Sequence, residues 1–229
     1  MAERMKRVLN SVIENDQQGF IKDGDITGNL LLVKEIIEYC KETDTQGALL
    51  LMDFKKAYDR VSRETMMSVL EAMNFGPDLL QIVRTMYTEV GAKVEVNGSM
   101  TAELETGGGV RQGCPLSPYL FICILEVMAI SVRDNPQVEG MLEPDSGDHT
   151  KISLFADDAA IILGKPSEQT KDAREEIRNY ERMSASAVHE GKTMLMTLGS
   201  TSRAEHTSEE LGVQFKILSA RQRKTTWET

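Results

Sequence analysis

The sequence predicts an α/β fold, on three observations. Unbroken apolar runs at residues 48–52 and 159–163 have the length of buried strands. The stretches 31–42 and 167–183 place apolar residues among charged ones at helical spacing. Gly and Pro clusters at 75–78, 97–98 and 107–109 punctuate the chain between such segments.

Taken in order, the chain opens with a mixed segment ending in Gly19-Phe20-Ile21-Lys22-Asp23-Gly24-Asp25, whose glycine and acidic residues mark a loop. A helix capped by Thr27 or Asn29 follows, with Leu31, Leu32, Ile36, Ile37 and Tyr39 as its apolar positions. Residues 48–52 form a strand that delivers Asp53 at its end. A second helix starts near Ser62 and runs through Met73, and Pro77 is placed to start a third through Met86. Val94 and Val96 alternate with charged residues before Asn97-Gly98, which is the signal of a type I′ hairpin returning through 100–104. Residues 119–129 are apolar nearly all round, as in a buried helix. Strands at 151–154 and 159–163 flank Phe155-Ala156-Asp157-Asp158, a tight acidic turn. A charged amphipathic helix over 167–183, a strand over 193–198 and a last strand over 211–215 complete the pattern, and the end from Lys216 reads as loose.

With 229 residues, 41% of them hydrophobic, the chain can bury a substantial core. No run of about 18 apolar residues is present and the start lacks a secretory pattern, so an intracellular protein without a membrane partner is expected. Cys40, Cys114 and Cys123 have neither an even count nor metal-ligand spacing, so they read as reduced thiols. His149, His189 and His206 lie in polar stretches and read as exposed. The net charge of -10 argues against tight binding of nucleic acid by this segment unaided.

Asp157 and Asp158 are the residues with the sharpest chemical signal. Alone, such a pair is read equally well as a solvated turn. A second apolar strand ending in Asp53 changes the balance, because it can lie beside the first and bring a third carboxylate to the same place. Hard oxygen donors of this kind suit Mg²⁺ or Mn²⁺. Three carboxylates can hold two such ions about 4 Å apart, an arrangement suited to phosphoryl transfer.

Three motifs in order resemble one family. Leu49-Leu50-Leu51-Met52-Asp53-Phe54-Lys55-Lys56-Ala57-Tyr58-Asp59-Arg60-Val61 resembles the first catalytic motif of reverse transcriptases from non-LTR retrotransposons. Gly109-Val110-Arg111-Gln112-Gly113-Cys114-Pro115-Leu116-Ser117-Pro118 is similar to their template-and-nucleotide motif, and Phe155-Ala156-Asp157-Asp158 to their aromatic-Ala-Asp-Asp box. Residues 184–196, with Lys192-Thr193, resemble a later motif with a lysine near the triphosphate, and Leu211-Gly212 the start of the primer grip.

The resemblance implies a polymerase palm, an antiparallel sheet backed by helices with the acids at one edge. It implies an RNA-directed DNA polymerase working on an RNA template, a DNA primer and deoxynucleoside triphosphates. Asp53, Asp157 and Asp158 would be the catalytic residues and hold two Mg²⁺ (or Mn²⁺) ions. Phe54, Tyr58, Gln112, Gly113 and Lys192 would face the nucleotide, Tyr58 excluding a 2′-hydroxyl. Arg111, Pro115 and Ser117 would lie toward template and primer. Asp59 reads as a helix-start acid rather than a further ligand, and Arg111 is equally readable as a structural ion pair.

By the same resemblance, residues 1–46 are partial fingers, 47–215 the palm with a finger-like hairpin at about 92–106, and 216–229 a loose tail with the thumb absent. Polymerase and endonuclease domains of a parent polyprotein are expected as further partners. Family members usually carry Gly-Arg where this chain has Asp23-Gly24, an arginine where it has Gly108, and Ser-Gly-Leu-Lys-Ile-Asn where it has Ser184-Ala185-Ser186-Ala187-Val188-His189. These departures support an alternative expectation, a non-catalytic remnant or interaction module of the same fold. A polymerase making RNA, or a cyclase, on a related palm is disfavoured by Tyr58 and Ala156.

Overall fold

The computed structural model describes residues 1–88, 90–105, 107–143, 147–199 and 216–219. The elements run α1 (Ala2–Leu9), α2 (Ile26–Thr43), β1 (Gly47–Met52), α3 (Ala57–Arg60), α4 (Arg63–Ala72) and α5 (Pro77–Tyr87). Four two-residue strands follow, β2 (Gly91–Ala92), β3 (Glu95–Val96), β4 (Ser99–Met100) and β5 (Leu104–Glu105). Then come α6 (Ser117–Asp134), β6 (Met141–Leu142), β7 (His149–Thr150), β8 (Ile152–Phe155), β9 (Asp158–Leu163), α7 (Pro166–Ser184), β10 (Met194–Leu198) and β11 (Lys216–Ser219).

β1 is the middle of a five-stranded sheet ordered β11-β10-β1-β9-β8. Its apolar run suits that place, because both faces are covered. Ala48, Leu50 and Met52 face the main core, where Leu70, Phe121, Leu125 and Ile177 of the backing helices α4, α6 and α7 are buried. Leu49 faces the other way, toward Ile36 and Cys40 of α2 with Ile162, Met196 and Leu198. Each fully buried Leu or Phe in such a layer contributes about 1.5–3 kcal/mol. β1 is antiparallel to both β9 and β10, and β9 to β8.

Several elements start where their residues require. Ser62 caps α4 by accepting a hydrogen bond from the Thr65 amide at 3.1 Å. Pro77 opens α5. Asn97 (φ 51°) and Gly98 (φ 80°) make the expected primed turn. The hairpin beyond it is weaker than the alternation implied, since Val94, Val96, Met100 and Leu104 are all exposed. The first long helix begins at Ile26 with Asp25 as its cap, rather than after Thr27 or Asn29. Asn29 instead donates its side-chain amide to the Leu154 carbonyl at 2.8 Å, tying α2 to β8.

Two further corrections concern the ends. α1 has no counterpart in the sequence reading, yet its Met5 and Leu9, one helical turn apart, enter the main core with Ile13. Lys216–Ser219, expected in a loose tail, is β11 and pairs in parallel with β10. The strand expected at 211–215 lies outside the described residues. Among the described residues no helix is long and apolar enough to cross a membrane.

Beneath the sheet, Arg133 of α6 joins two carboxylates. Its guanidinium donates to Asp16 Oδ2 at 2.6 Å and to Glu126 Oε1 two turns earlier on the same helix. Burial pushes both carboxyls up from the ordinary range, and Arg133 opposes that shift. The pairing anchors the segment after α1 against the helix with the most buried residues.

Candidate active site

Register assembles the acids. Met52 pairs with Ala159, so one step further out Asp53 stands opposite Asp158. On the other side the β1–β10 register ends at Leu51 and Met194, and a turn in which Lys192 and Thr193 N–H both donate to the His189 carbonyl brings Lys192 back toward Asp53. Lys192 Nζ lies 3.0 Å from Asp53 Oδ2.

The β8–β9 turn supplies the remaining carboxylate. Phe155 pairs with Asp158, leaving Ala156 and Asp157 as a two-residue turn. Ala156 takes φ 58° at the first turn position, where hairpins ordinarily place glycine. For a residue with a Cβ that conformation costs about 1–3 kcal/mol, so the surroundings must hold it. The carboxyl of Asp158 is pushed up from 3.8 by burial, then by the charges of Asp157 and Asp53. The Tyr58 phenol is likewise pushed up, by burial first and then by the charge of Asp157.

The segment after Asp53 is strapped down through its backbone. His189 N–H donates to the Asp53 carbonyl at 2.7 Å, Lys55 N–H donates to the Ala187 carbonyl at 2.7 Å, and Phe54 bridges Val188. The departures in residues 184–189 therefore fall where main-chain atoms make the contact. His189, expected to be exposed, is half-buried for this reason. The Phe54 ring is in the core, edge-on to Tyr180 at 5.8 Å.

A cleft of about 530 Å³ is lined by Tyr58, Arg111, Gln112, Gly113, Cys114, Pro115, Ser117 and Pro118. The structure thus brings together six residues of the nucleotide and template sets. Tyr58 leans on Phe121, ring centroids 5.0 Å apart. Gln112 donates to Asp59 Oδ1 at 2.8 Å, so the helix-start acid holds the glutamine. Ser117 is fully buried and its hydroxyl meets the Tyr87 hydroxyl at 3.2 Å, an anchoring position rather than an exposed contact. Arg111 and Pro115 are exposed, and among the described residues Arg111 forms no ion pair.

The motif beginning at Gly109 rests on α3. Gly109 N–H donates to the Val61 carbonyl at 2.8 Å and Val110 N–H to the Tyr58 carbonyl at 2.7 Å. Gly109 has φ 79°, and a Cβ there would lie 2.6 Å from the Asp59 carbonyl oxygen, so only glycine fits. Arg63, which sequence reasoning missed, fastens the same loop by donating to the Gly108 carbonyl at 3.1 Å while lying over the Tyr87 ring at 5.6 Å. Nothing in its sequence context separates it from an ordinary first-turn arginine.

The departure at Asp23-Gly24 has a structural correlate. A Cβ on Gly24 would lie 2.1 Å from the Gln18 carbonyl oxygen, so this loop conformation has no room for the family's arginine.

The donor set fits a hard divalent cation. Asp53 Oδ2 is buried and, although Lys192 is 3.0 Å away, it has no aligned hydrogen bond. Three mutually repelling carboxylates gain from a cation between them. Among the described residues, no three His, Cys, Asp or Glu side chains already stand in ligating geometry.

Comparison with known proteins identifies the family. Residues 1–220 match the family described as "Reverse transcriptase (RNA-dependent DNA polymerase)". The chain is 34% identical over 159 residues to the transposon TX1 uncharacterized 149 kDa protein of Xenopus laevis, covering 69% of this chain and 12% of that protein. It is 26% identical over 164 residues to a Pol polyprotein of a type-1 retrotransposable element R2 of Popillia japonica, covering 71% and 22%. The chain thus spans a small part of the length of these curated relatives. Telomerase from Candida tropicalis, solved with a fragment of telomeric RNA, shares the fold with TM-score 0.61 at 12% identity, over 85% of this chain and 32% of that one. The chain belongs to the reverse transcriptase (RNA-dependent DNA polymerase) family, as a reverse transcriptase domain of the non-LTR retrotransposon kind.

Proposed function

We propose that this domain is the catalytic core of an RNA-directed DNA polymerase that adds deoxynucleotides to a primer 3′-hydroxyl on an RNA template. The observation that carries the reading is the convergence of Asp53, Asp157 and Asp158 at the ends of β1 and β9, with Tyr58, which lines the neighbouring motif's cleft, within reach of the Asp157 charge.

Asp53, Asp157 and Asp158 would hold two Mg²⁺ or Mn²⁺ ions. When bound, such ions lower the pKa of an attacking hydroxyl and neutralise charge on a leaving pyrophosphate. The protein's own contribution is positioning. Tyr58, stiffened by Phe121, would lie under the sugar and exclude a 2′-hydroxyl. Gln112, held by Asp59, and Gly113 would border the nucleotide and its template base. Released from Asp53, Lys192 would meet the triphosphate. Phe54 would act through its backbone, because its ring is buried. Arg111 and Pro115 would face the template strand, and Ser117 would fix the turn that carries them.

A second reading, the same fold without turnover, is favoured by Gly24, whose loop has no space for the arginine that the family uses on the triphosphate. Primer extension on an RNA template with Mg²⁺ or Mn²⁺ separates the two. The polymerase reading predicts templated product that disappears in Asp157→Asn. Equal background in both proteins would overturn it. Further domains of a parent polyprotein are proposed partners, consistent with the excess of 36 acidic over 26 basic residues.

A further inference from the structure

We propose that Gln17 is a positioning residue for the carboxylate turn, its buried side-chain amide holding Ala156 in the conformation that presents Asp157 and Asp158. The consequence for metal binding rests on the polymerase reading above, whereas the clamp itself does not.

The turn is a strained backbone that needs an external hold. Ala156 is buried, has φ 58°, and occupies a two-residue turn whose first amide has no partner across the hairpin. A buried amide without a partner is rare. Gln17 provides that partner. It is 1% exposed, and its Oε1 accepts from Ala156 N–H at 3.0 Å and from Gly19 N–H at 2.7 Å. Its Nε2 faces the Ala156 carbonyl at 3.4 Å. One side chain therefore grips both polar groups of the same peptide-bearing residue.

The grip is itself mounted on the sheet. Leu154 N–H donates to the Asp16 carbonyl at 2.7 Å and Gln18 N–H donates to the Leu154 carbonyl at 2.9 Å, so residues 16–18 run along the outer edge of β8 as a parallel rail. The chain then passes directly against the turn at Gly19, where a Cβ would lie 2.1 Å from the Ala156 nitrogen. Absence of a side chain at Gly19 is what lets the Gln17 amide reach Ala156. Residues remote from the acids in sequence thereby set where two of the three acids point.

Two substitutions separate positioning from simple core filling. Gln17→Met keeps the bulk and removes the amide, while Gln17→Glu keeps an acceptor for the two N–H groups. Amide hydrogen exchange by NMR on the 229-residue chain reads the clamp without any metal. In Gln17→Met, exchange at Ala156 should rise about tenfold, the factor one hydrogen bond is worth, with Leu50 and Ile161 unchanged. Gln17→Glu should retain wild-type protection at Ala156. A uniform rise at all three positions in Gln17→Met, or an unprotected Ala156 in Gln17→Glu, would overturn the proposal. If Gln17→Met does not fold, the Gln17→Glu arm decides alone. Mn²⁺ titration followed by electron paramagnetic resonance reads the consequence: Gln17→Met should weaken binding by about 10–100-fold, as loss of a supporting contact does at metal sites. Wild-type protein that binds no Mn²⁺ would overturn the polymerase reading of the acids, and the exchange data would still decide the role of Gln17.

Discussion

Lys192 Nζ stands 3.0 Å from Asp53 Oδ2, so in the metal-free protein a lysine neutralises the carboxylate that the polymerase reading assigns to a cation. The pair forms just beyond the end of the β1–β10 ladder, where a turn at 189–192 carries Lys192 back over Asp53. On the polymerase reading, lysine and metal ion would compete for one oxygen.

Removing the lysine should favour the ion. Lys192 is 65% exposed and Asp53 33%, so the pair is worth only about 0.2–1 kcal/mol. Lys192→Met is expected to tighten Mn²⁺ binding by no more than about fivefold. Calorimetric titration checks this, and weaker binding in the variant would contradict the competition.

The acids also set a pH dependence. Asp158 has its folded pKa raised above 3.8, so its contribution to stability is present below about that value and is lost as pH rises through the folded pKa. Above that window the cluster repels itself. In the presence of a chelator, Asp157→Asn should raise the melting temperature at about pH 7 and confer progressively less below about pH 4. A gain independent of pH would contradict the assignment of repulsion to this cluster.

Support beneath the sheet is separable from the chemistry. Arg133→Met leaves Asp16 and the Glu126 carboxylate, 2% exposed, without their cation. Because Arg133 is itself 24% exposed, the loss should fall at or below the lower end of the ~3–5 kcal/mol range for broken buried pairs. Urea denaturation measures it, and a change under about 0.5 kcal/mol would mean the pairs are not coupled to folding.

Gly109→Ala should be as damaging for a different reason. The substitution puts a Cβ 2.6 Å from the Asp59 carbonyl oxygen at φ 79°. Strain of about 1–3 kcal/mol is expected, together with loss of the hydrogen bond from Gly109 to Val61. Thermal denaturation compared with Gly107→Ala, where a Cβ meets nothing within 4 Å, isolates the effect. Equal melting temperatures would contradict it.

The strands and acids were legible because burial on both faces leaves an unbroken apolar run, and residues 48–52 and 159–163 end or begin at the carboxylates. Pro77, Ser62 and Asn97-Gly98 announced their elements through local chemistry that survives folding unchanged. The contributions of Gln17, Arg63 and the Asp16–Arg133–Glu126 group were not legible, since each depends on a partner more than five residues away and none has a periodic signature. α1 was missed although Ala2, Met5 and Leu9 recur at helical spacing, because eight residues are too short for the pattern to stand out and the burial of that face is decided by α6. The space that forbids a side chain at Gly24 is likewise a tertiary property.

On the polymerase reading, Asp53, Asp157 and Asp158 act as one divalent-cation site. Mn²⁺ binding measured by electron paramagnetic resonance on wild type and on Asp53→Asn, Asp157→Asn and Asp158→Asn checks this. Saturable binding is expected in wild type, weakened by about tenfold or more by each substitution. Binding that survives all three substitutions unchanged would contradict it.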